Sequence, residues 1–402
     1  MSRRNTRQMC RGNLSSIRMT NPCAARRPFL LHIIFVSWSL FTCFIAYSKA
    51  SSQIDPRGSQ FIGFHSFSNF KKALGGRPDE IVLTSPEIIS RIAWNELVAS
   101  WNMESSADSY LKIEARANYP DRATKYYTMG LWSGDPSKHP RESMHNQKDD
   151  EGDVATDTLS LKSPAERLQL RVTLGRQKSA NGKPKFLGIC LVNNETTPAT
   201  LLPNHTAWAK SIPVPERSQM VYPGGAELCS PTTVSMMMTY WAQRLKRTAL
   251  DRDVPEVAKE VYDPNWIGTG NWPFNTAYAG SFPGMRAYVS RFSDVSELED
   301  WIGRGIPVGV SLSYNLLQGK EESGHGHLVV CVGFTKDGDV IVNDPGTTLN
   351  VRKVFPRKNL ITAWTYSRNT VYLIYPEHTR LPIDRFGHWD SGTSRRQVVF
   401  TK

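Results

Sequence analysis

Residues 219–241 constrain this chain more than any other stretch, because they place a cysteine at the mouth of a strongly patterned helix. Val234, Met237, Met238, Trp241 and Leu245 recur at helical spacing and form one apolar face that needs a partner layer. Ser230 is expected as the N-cap and Pro231 as the first helical residue. Cys229 then sits at or just ahead of the first turn, where unpaired N–H groups and the helix dipole favour an anion. Such surroundings lower a thiol's pKa and make it nucleophilic.

A partner for the thiol lies far downstream. Gly324-His325-Gly326-His327 leads into Leu328–Phe334, a continuous apolar run of the kind found in buried strands. Asp337-Gly338 is a turn signal, and Val340-Ile341-Val342-Asn343-Asp344-Pro345 follows it. A thiol paired with an imidazole, itself held by a third group, is the general form of an activated cysteine. In that scheme Cys229 attacks a carbonyl, His327 moves the proton and Asp344 fixes the imidazole. Gln219 and the Cys229 backbone N–H are the candidate oxyanion donors. Register complicates the pairing. A two-residue hairpin at Asp337-Gly338 would set Asp344 opposite Cys331, roughly 13 Å along the strand from His327. A longer turn, a bulge or a bend at Asn343-Asp344-Pro345 is therefore required. A one-residue slip would bring Asn343 onto the histidine's face, so Asn343 is the alternative orienter and His325 the alternative base.

Ser218-Gln219, Cys229-Ser230-Pro231-Thr232, His327-Leu328-Val329-Val330 and Asn343-Asp344-Pro345 together resemble the family-39 cysteine peptidases. That group has a papain-like fold and includes the bacteriocin-processing peptidases, which remove leader peptides after paired glycines. The resemblance runs from about residue 208 to about 377. It implies Cys229 as nucleophile, His327 as base, Asp344 as orienter and Gln219 as oxyanion donor. The chain departs from exporter-linked members: it carries no multi-span membrane region and no phosphate-binding Gly-rich loop. It looks more like stand-alone exported relatives, whose substrates the family does not define.

The length of 402 residues suggests two or three domains with ample apolar content for real cores. The formal charge of +12 is concentrated at one end, since residues 1–50 hold seven Arg, one Lys and no acidic residue. The remainder carries 41 basic and 37 acidic side chains, a balance of +4, with no basic stripe that would argue for nucleic acid. Arg26-Arg27 precede an apolar run from Phe29 to Tyr47, about 19 residues and long enough to span a bilayer. A basic flank before such a run reads as an export signal, with Ser48-Lys49-Ala50 as a cleavage site or the whole retained as a single anchor. The expected location is outside the cytoplasm, with membrane contact only through this segment.

Of six cysteines, Cys10, Cys23 and Cys43 belong to the targeting region. Cys190, Cys229 and Cys331 remain, an odd set with no short paired spacing, which argues against a disulfide scaffold or a metal knuckle. Cys190 and Cys331 lie in apolar runs and read as small buried hydrophobes. His325-Gly326-His327 lacks further ligands at metal-site spacing, so neither a metal nor another cofactor is expected.

After a polar linker at 51–58, residues 60–200 show strand alternation, as in Leu111/Ile113/Ala115, Leu168/Leu170/Val172/Leu174 and Leu187/Ile189/Leu191. Turn clusters at 133–136 and 179–182 separate the runs. An antiparallel β-sandwich is expected, and the stretch around Trp94, Trp101 and Trp132 resembles the β-rich region preceding the peptidase in exported relatives. Its aromatics leave a carbohydrate contact open, although a fold alone does not fix function. A Pro-rich connection from Pro198 to Pro215 leads into a domain at 208–378. There a helix is expected at Ala249–Val261, an aromatic loop at 265–275, a capping box from Asp294 and Glu297, and a strand at Ile306–Leu312. Residues 379–402 form a polar tail. The expected whole is α+β: a papain-like cysteine peptidase domain preceded by an antiparallel β-sandwich. The substrate is expected to be a peptide or protein. The alternatives are a cell-wall amidase or transpeptidase using the same thiol chemistry, or a non-catalytic glycan-binding protein on the same scaffold.

Overall fold

A computed structural model describes residues 58–104, 106–175, 184–197 and 200–391. The apolar run 29–47, the Ala50 cleavage site, most of the 51–58 linker, the turn at 179–182 and the end of the tail lie outside the described residues. Among the described residues no helix is long and apolar enough to cross a membrane.

The chain is α+β. Its first part is strand-rich: Ser59–Phe64, Lys71–Leu74, Ile81–Thr84, Ile88–Met103, Tyr110–Asn118, Tyr127–Ser133, Gly152–Ala155, Thr158–Gly175 and Pro184–Val192. Hydrogen bonds link these strands without a break. They form one ten-stranded sheet with Trp389–Ser391 from the far end of the chain. Two long strands make the sheet continuous. Thr158–Gly175 pairs in turn with Gly152–Ala155, Ile88–Met103, Tyr110–Asn118 and Ile81–Thr84. The register of Ile88–Met103 on Thr158–Gly175 shifts at Ile89/Trp94 and again at Trp94/Glu96. Bulges of this kind bend a strand and raise its local twist, so one sheet can wrap a core that would otherwise need two. Trp94, Trp101 and Trp132 lie inside that core rather than on its surface.

The second part is a seven-stranded antiparallel sheet in the order Met285–Arg291, Thr370–Pro376, Val308–Ser313, Gly326–Phe334, Val340–Asn343, Arg352–Phe355, with Lys210–Ser211 also on Gly326–Phe334. The helix Cys229–Leu245 packs on the middle of it. Gly309 lets the two approach closely, since a Cβ there would sit 3.2 Å from Thr233 and 3.0 Å from Tyr372. This helix begins at Cys229 with Leu228 as its N-cap, not at Pro231. The Thr232 N–H already bonds to Leu228 O, so Pro231 falls within the first turn, where its missing N–H leaves no bond unmade.

Other elements also shift. The second helix is shorter than expected, Val254–Val261, because Asp253 caps it and a separate turn, Thr248–Leu250, takes the earlier residues. The last four residues of the aromatic loop open a helix, Trp272–Ser281, capped by Asn271. Asp294 caps Val295–Gly303, but Glu297 reaches back to the Ser293 N–H, one residue beyond a capping box. The strand expected at 306–312 is Val308–Ser313.

The two sheets are held together by buried polar contacts. The second half of Ile88–Met103 is buried on both faces. Asn102 there mimics a strand partner for the edge strand Met285–Arg291: it accepts from the Ala287 N–H at 3.1 Å and donates to Ala287 O at 2.7 Å. Ser100 accepts from the Val289 N–H at 2.9 Å. An edge that would otherwise offer free backbone groups is closed. The connection from Asn204 onward is docked too, with the Ile212 N–H on Val332 O. The expected polar tail is described as far as Ser391, and it packs on the rest. Phe386 and His388 are buried, Asp390 pairs with Arg91 at 2.7 Å, and Trp389–Ser391 runs parallel to Ser59–Phe64.

Candidate active site

The strand pairing that looked awkward in the sequence is resolved by all three expected devices at once. Phe334 opposes Val340 and the Thr335 N–H bonds to Asp339 O at 2.8 Å, which leaves three residues at the turn, 336–338, rather than two. The register then slips between Cys331 and Gly333, so Cys331 opposes Val342. Val340–Asn343 ends before Asp344, and the chain bends into Pro345. Asp344 is thereby carried past Cys331 toward His327, and its Oδ1 lies 2.8 Å from His327 Nε2. Asn343 points elsewhere. Its amide donates to Val214 O and Pro215 O and accepts from Arg352, which anchors the incoming chain. His325 is exposed while His327 is buried.

With Nε2 committed to Asp344, the other ring nitrogen is left for the thiol, and the His327 side chain hydrogen-bonds Cys229. Cys229 is half-buried at the first turn of its helix. Burial alone would push this thiol up. The His327 hydrogen bond and charge, together with N–H donation from Leu328 and Ser230, outweigh that and bring it below the ordinary value. For His327 burial works against the proton, but Asp344 and Cys229 raise the imidazole to about 9. Both shifts run in the direction that favours a thiolate beside an imidazolium. Cys190 and Cys331 are buried, and burial pushes Cys190 up to about 11 and Cys331 higher still, so neither is an anion at neutral pH.

Asp344 is surrounded by donors. Oδ1 also accepts from the Gly346 N–H at 2.9 Å; Oδ2 takes Lys353 Nζ at 3.2 Å and Tyr314 Oη at 3.4 Å. Burial raises this carboxyl, but His327, Gly346 and Lys353 more than reverse it and hold it below the usual carboxylate range. Tyr314 also packs its ring against His327, with centroids 4.6 Å apart. A side chain at Gly346 would crowd the imidazole, its Cβ only 3.2 Å from Cε1. Tyr314, Gly346 and Lys353 were not anticipated. Gly346 follows Asp344-Pro345 and carries a local turn signal, whereas Tyr314 arrives from the short helix Tyr314–Leu317 and Lys353 from the strand Arg352–Phe355, and neither carries one.

Gln219 is the buried residue of a short turn, Gln219–Val221, capped by Ser218. Its backbone N–H bonds to Pro345 O at 2.9 Å, tying it to the Asp344 bend. Its Nε2 donates to Gly225 O at 2.7 Å, in the turn that leads to Cys229. One amide hydrogen is used there, and the Oε1 atom is buried with no hydrogen-bond partner among the described residues. Among the described residues no group of His, Cys, Asp and Glu is placed to hold a metal ion.

Two family models match the chain: the Peptidase C39 N-terminal domain over residues 80–192 and the Peptidase C39 like family over residues 211–372. No curated protein matches it. Among solved structures, a protein from Bacillus anthracis described as a C39-like peptidase aligns with 42% of this chain and 100% of its own at 16% identity and a TM-score of 0.33. A family-32 carbohydrate-binding module (CBM32 of AlyQ), in complex with 4,5-unsaturated mannuronic acid, aligns with 32% of this chain and 80% of its own at 16% identity and a TM-score of 0.14.

Proposed function

Taking the chain as C39-like over its two matched segments, we propose that it is an exported cysteine peptidase that cleaves peptide bonds through Cys229, His327 and Asp344. The observation that carries this reading is the unbroken contact from a half-buried thiol at a helix start, through His327, to a carboxylate at 2.8 Å.

The Cys229 thiolate attacks the scissile carbonyl carbon, and the π-electrons move onto oxygen. The Cys229 backbone N–H and the second amide N–H of Gln219 are the donors for that oxyanion. As the carbon–nitrogen bond breaks, the imidazolium of His327 gives its proton to the departing amine, leaving a thioester on Cys229. His327, now neutral, takes a proton from water as the water oxygen attacks the thioester. The acid product leaves, and the thiolate–imidazolium pair is restored. Asp344 holds the ring in the orientation that serves both steps and favours its charged form. Lys353 and Tyr314 hold the carboxylate in turn.

The apolar run 29–47 behind Arg26-Arg27 motivates the exported location. Recovering the protein only from the cytoplasmic fraction of its host would contradict it. A carbohydrate contact by the β-rich part would have to use surface groups, because Trp94, Trp101 and Trp132 are buried. Digestion of a peptide library by wild type and by Cys229→Ser tests the activity. Defined cleavage sites that vanish in the variant are expected, and identical digests from both proteins would refute the assignment.

A further inference from the structure

The approach to Cys229 is held by a loop of its own domain that the β-rich segment grips in turn. Glu227 lies two residues before the cysteine, and its carbonyl accepts from Thr269 Oγ1 at 2.8 Å. Thr269 belongs to the loop 263–271, and its own carbonyl is held by Asn275 Nδ2 at 2.7 Å. Behind the loop stands the β-rich segment. Fully buried Asp263 accepts the Ser143 N–H through Oδ1 at 3.0 Å and Asn271 Nδ2 through Oδ2 at 2.8 Å. Asn265 Nδ2 donates to Ser143 O at 2.7 Å, and His145 Nε2 donates to Asn265 O at 2.8 Å. Buried Asp157, from the same β-rich segment, takes the Trp272 N–H at 2.9 Å, where the loop becomes a helix.

The loop is also strained. Ile267 is 75% exposed at its tip with φ +58°, a left-handed conformation that β-branched residues rarely adopt. Its N–H and that of Gly268 are both pinned to Asp263 O. The Trp266 ring lies across Gly268 and Gly270, where a Cβ would meet it at 2.8 Å and 2.7 Å. A backbone in this state persists only where its surroundings over-determine it, and such segments cluster at functional sites. Here the surroundings are supplied by Ser143, His145 and Asp157.

We infer that the β-rich segment braces the catalytic thiol through the 263–271 loop, and that Thr269 is the positioning residue that transmits the brace. This rests on the peptidase reading above. By fixing the carbonyl of Glu227, Thr269 sets the orientation of the chain into Leu228 and Cys229, and with it the aim of the Cys229 N–H at a developing oxyanion. A donor that loses its aim is costly at the transition state and nearly silent in substrate binding.

The test uses the full chain, with iodoacetamide alkylation of Cys229, turnover of fluorescent casein and thermal melting measured together. Thr269→Val removes the hydroxyl and keeps the shape. It is expected to lower kcat roughly tenfold or more, leave KM and the alkylation pH profile as in wild type, and change the melting temperature little. Asp263→Asn turns a donor against the Asn271 amide and should lower kcat likewise. Adding Asn271→Asp reverses the donor and acceptor and should restore it. A Thr269→Val protein with wild-type kcat, or with a loss that only follows its folded fraction, overturns the brace, as does a double variant that regains its melting temperature without its kcat. A wild-type protein whose Cys229 labels no faster than free cysteine overturns instead the peptidase reading, and the brace with it.

Discussion

Two buried histidines in this protein sit against carboxylates, and they do different work. His388, in the tail, has Nε2 3.1 Å from both Glu297 and Ser293, while Nδ1 faces Ser59 O at 3.1 Å. Its ring stacks on Phe386 with centroids 5.4 Å apart, and it is 1% exposed. Burial lowers its proton affinity, but Glu297 raises it above the ordinary histidine value. His327 has the same outline: burial, a carboxylate and an aromatic neighbour. The difference lies at the second ring nitrogen. In His388 both nitrogens end on fixed groups that stitch the tail to one strand, a bend and a helix. In His327 one nitrogen faces a half-buried thiol at a helix start, so the charge it holds can be used. A perturbed histidine is therefore no sign of chemistry until its second partner has been identified.

That contrast can be broken most directly at the two rings. His327→Ala should lower the rate of Cys229 alkylation at pH 6 by roughly a hundredfold and abolish turnover, with a modest change in stability. His388→Ala should do the reverse. It leaves Glu297 buried without its partner and should cost about 3 kcal/mol in a urea titration, with alkylation unchanged. Equal effects of the two substitutions on alkylation would erase the distinction.

The orienting carboxylates sharpen it. Asp344→Asn should lower kcat by roughly a hundredfold and bring the base-side fall in activity below pH 9, because the imidazolium loses its charged neighbour. In the wild type that fall should centre near pH 9, where His327 gives up the proton needed by the leaving amine. Asp344 is held below its ordinary value, so its stabilisation is present above about pH 4 and lost as pH falls further. Acid titration followed by near-ultraviolet circular dichroism should show this loss diminished in Asp344→Asn. The smallest effect is expected for Lys353→Met, a partly exposed partner of Asp344: a fall in kcat of about threefold, measured at low salt.

The sequence reveals the thiol and the imidazole of this site better than the carboxylate. Cys229 and His327 are announced by local pattern, a helix opening and an apolar strand, which are short-range consequences of the chain itself. The choice between Asp344 and Asn343 depends on a bulge at Cys331/Gly333, which no residue type signals, and on a bend that Pro345 does. Tyr314 reaches Asp344 only because a helix start 30 residues earlier in the chain becomes its neighbour, and Lys353 because Arg352–Phe355 pairs back on Val340–Asn343. The helix Trp272–Ser281 was hidden by Pro273 and Gly280, yet Asn271 caps it and Gly280 makes room for Asn102. Strand alternation in the β-rich part is plain in the sequence. Its merging into one sheet is not, because the joints are bulges at Trp94 and a three-residue strand, Trp389–Ser391.

The most direct measurement is the rate of Cys229 alkylation by iodoacetamide from pH 4 to pH 10, in wild type and in His327→Ala. An ion pair predicts a rate that reaches a plateau well below the pKa of a free thiol, and a variant whose rate climbs only as a free thiol ionises. A wild-type curve that rises with the variant's, near pH 8.5 or above, would contradict it.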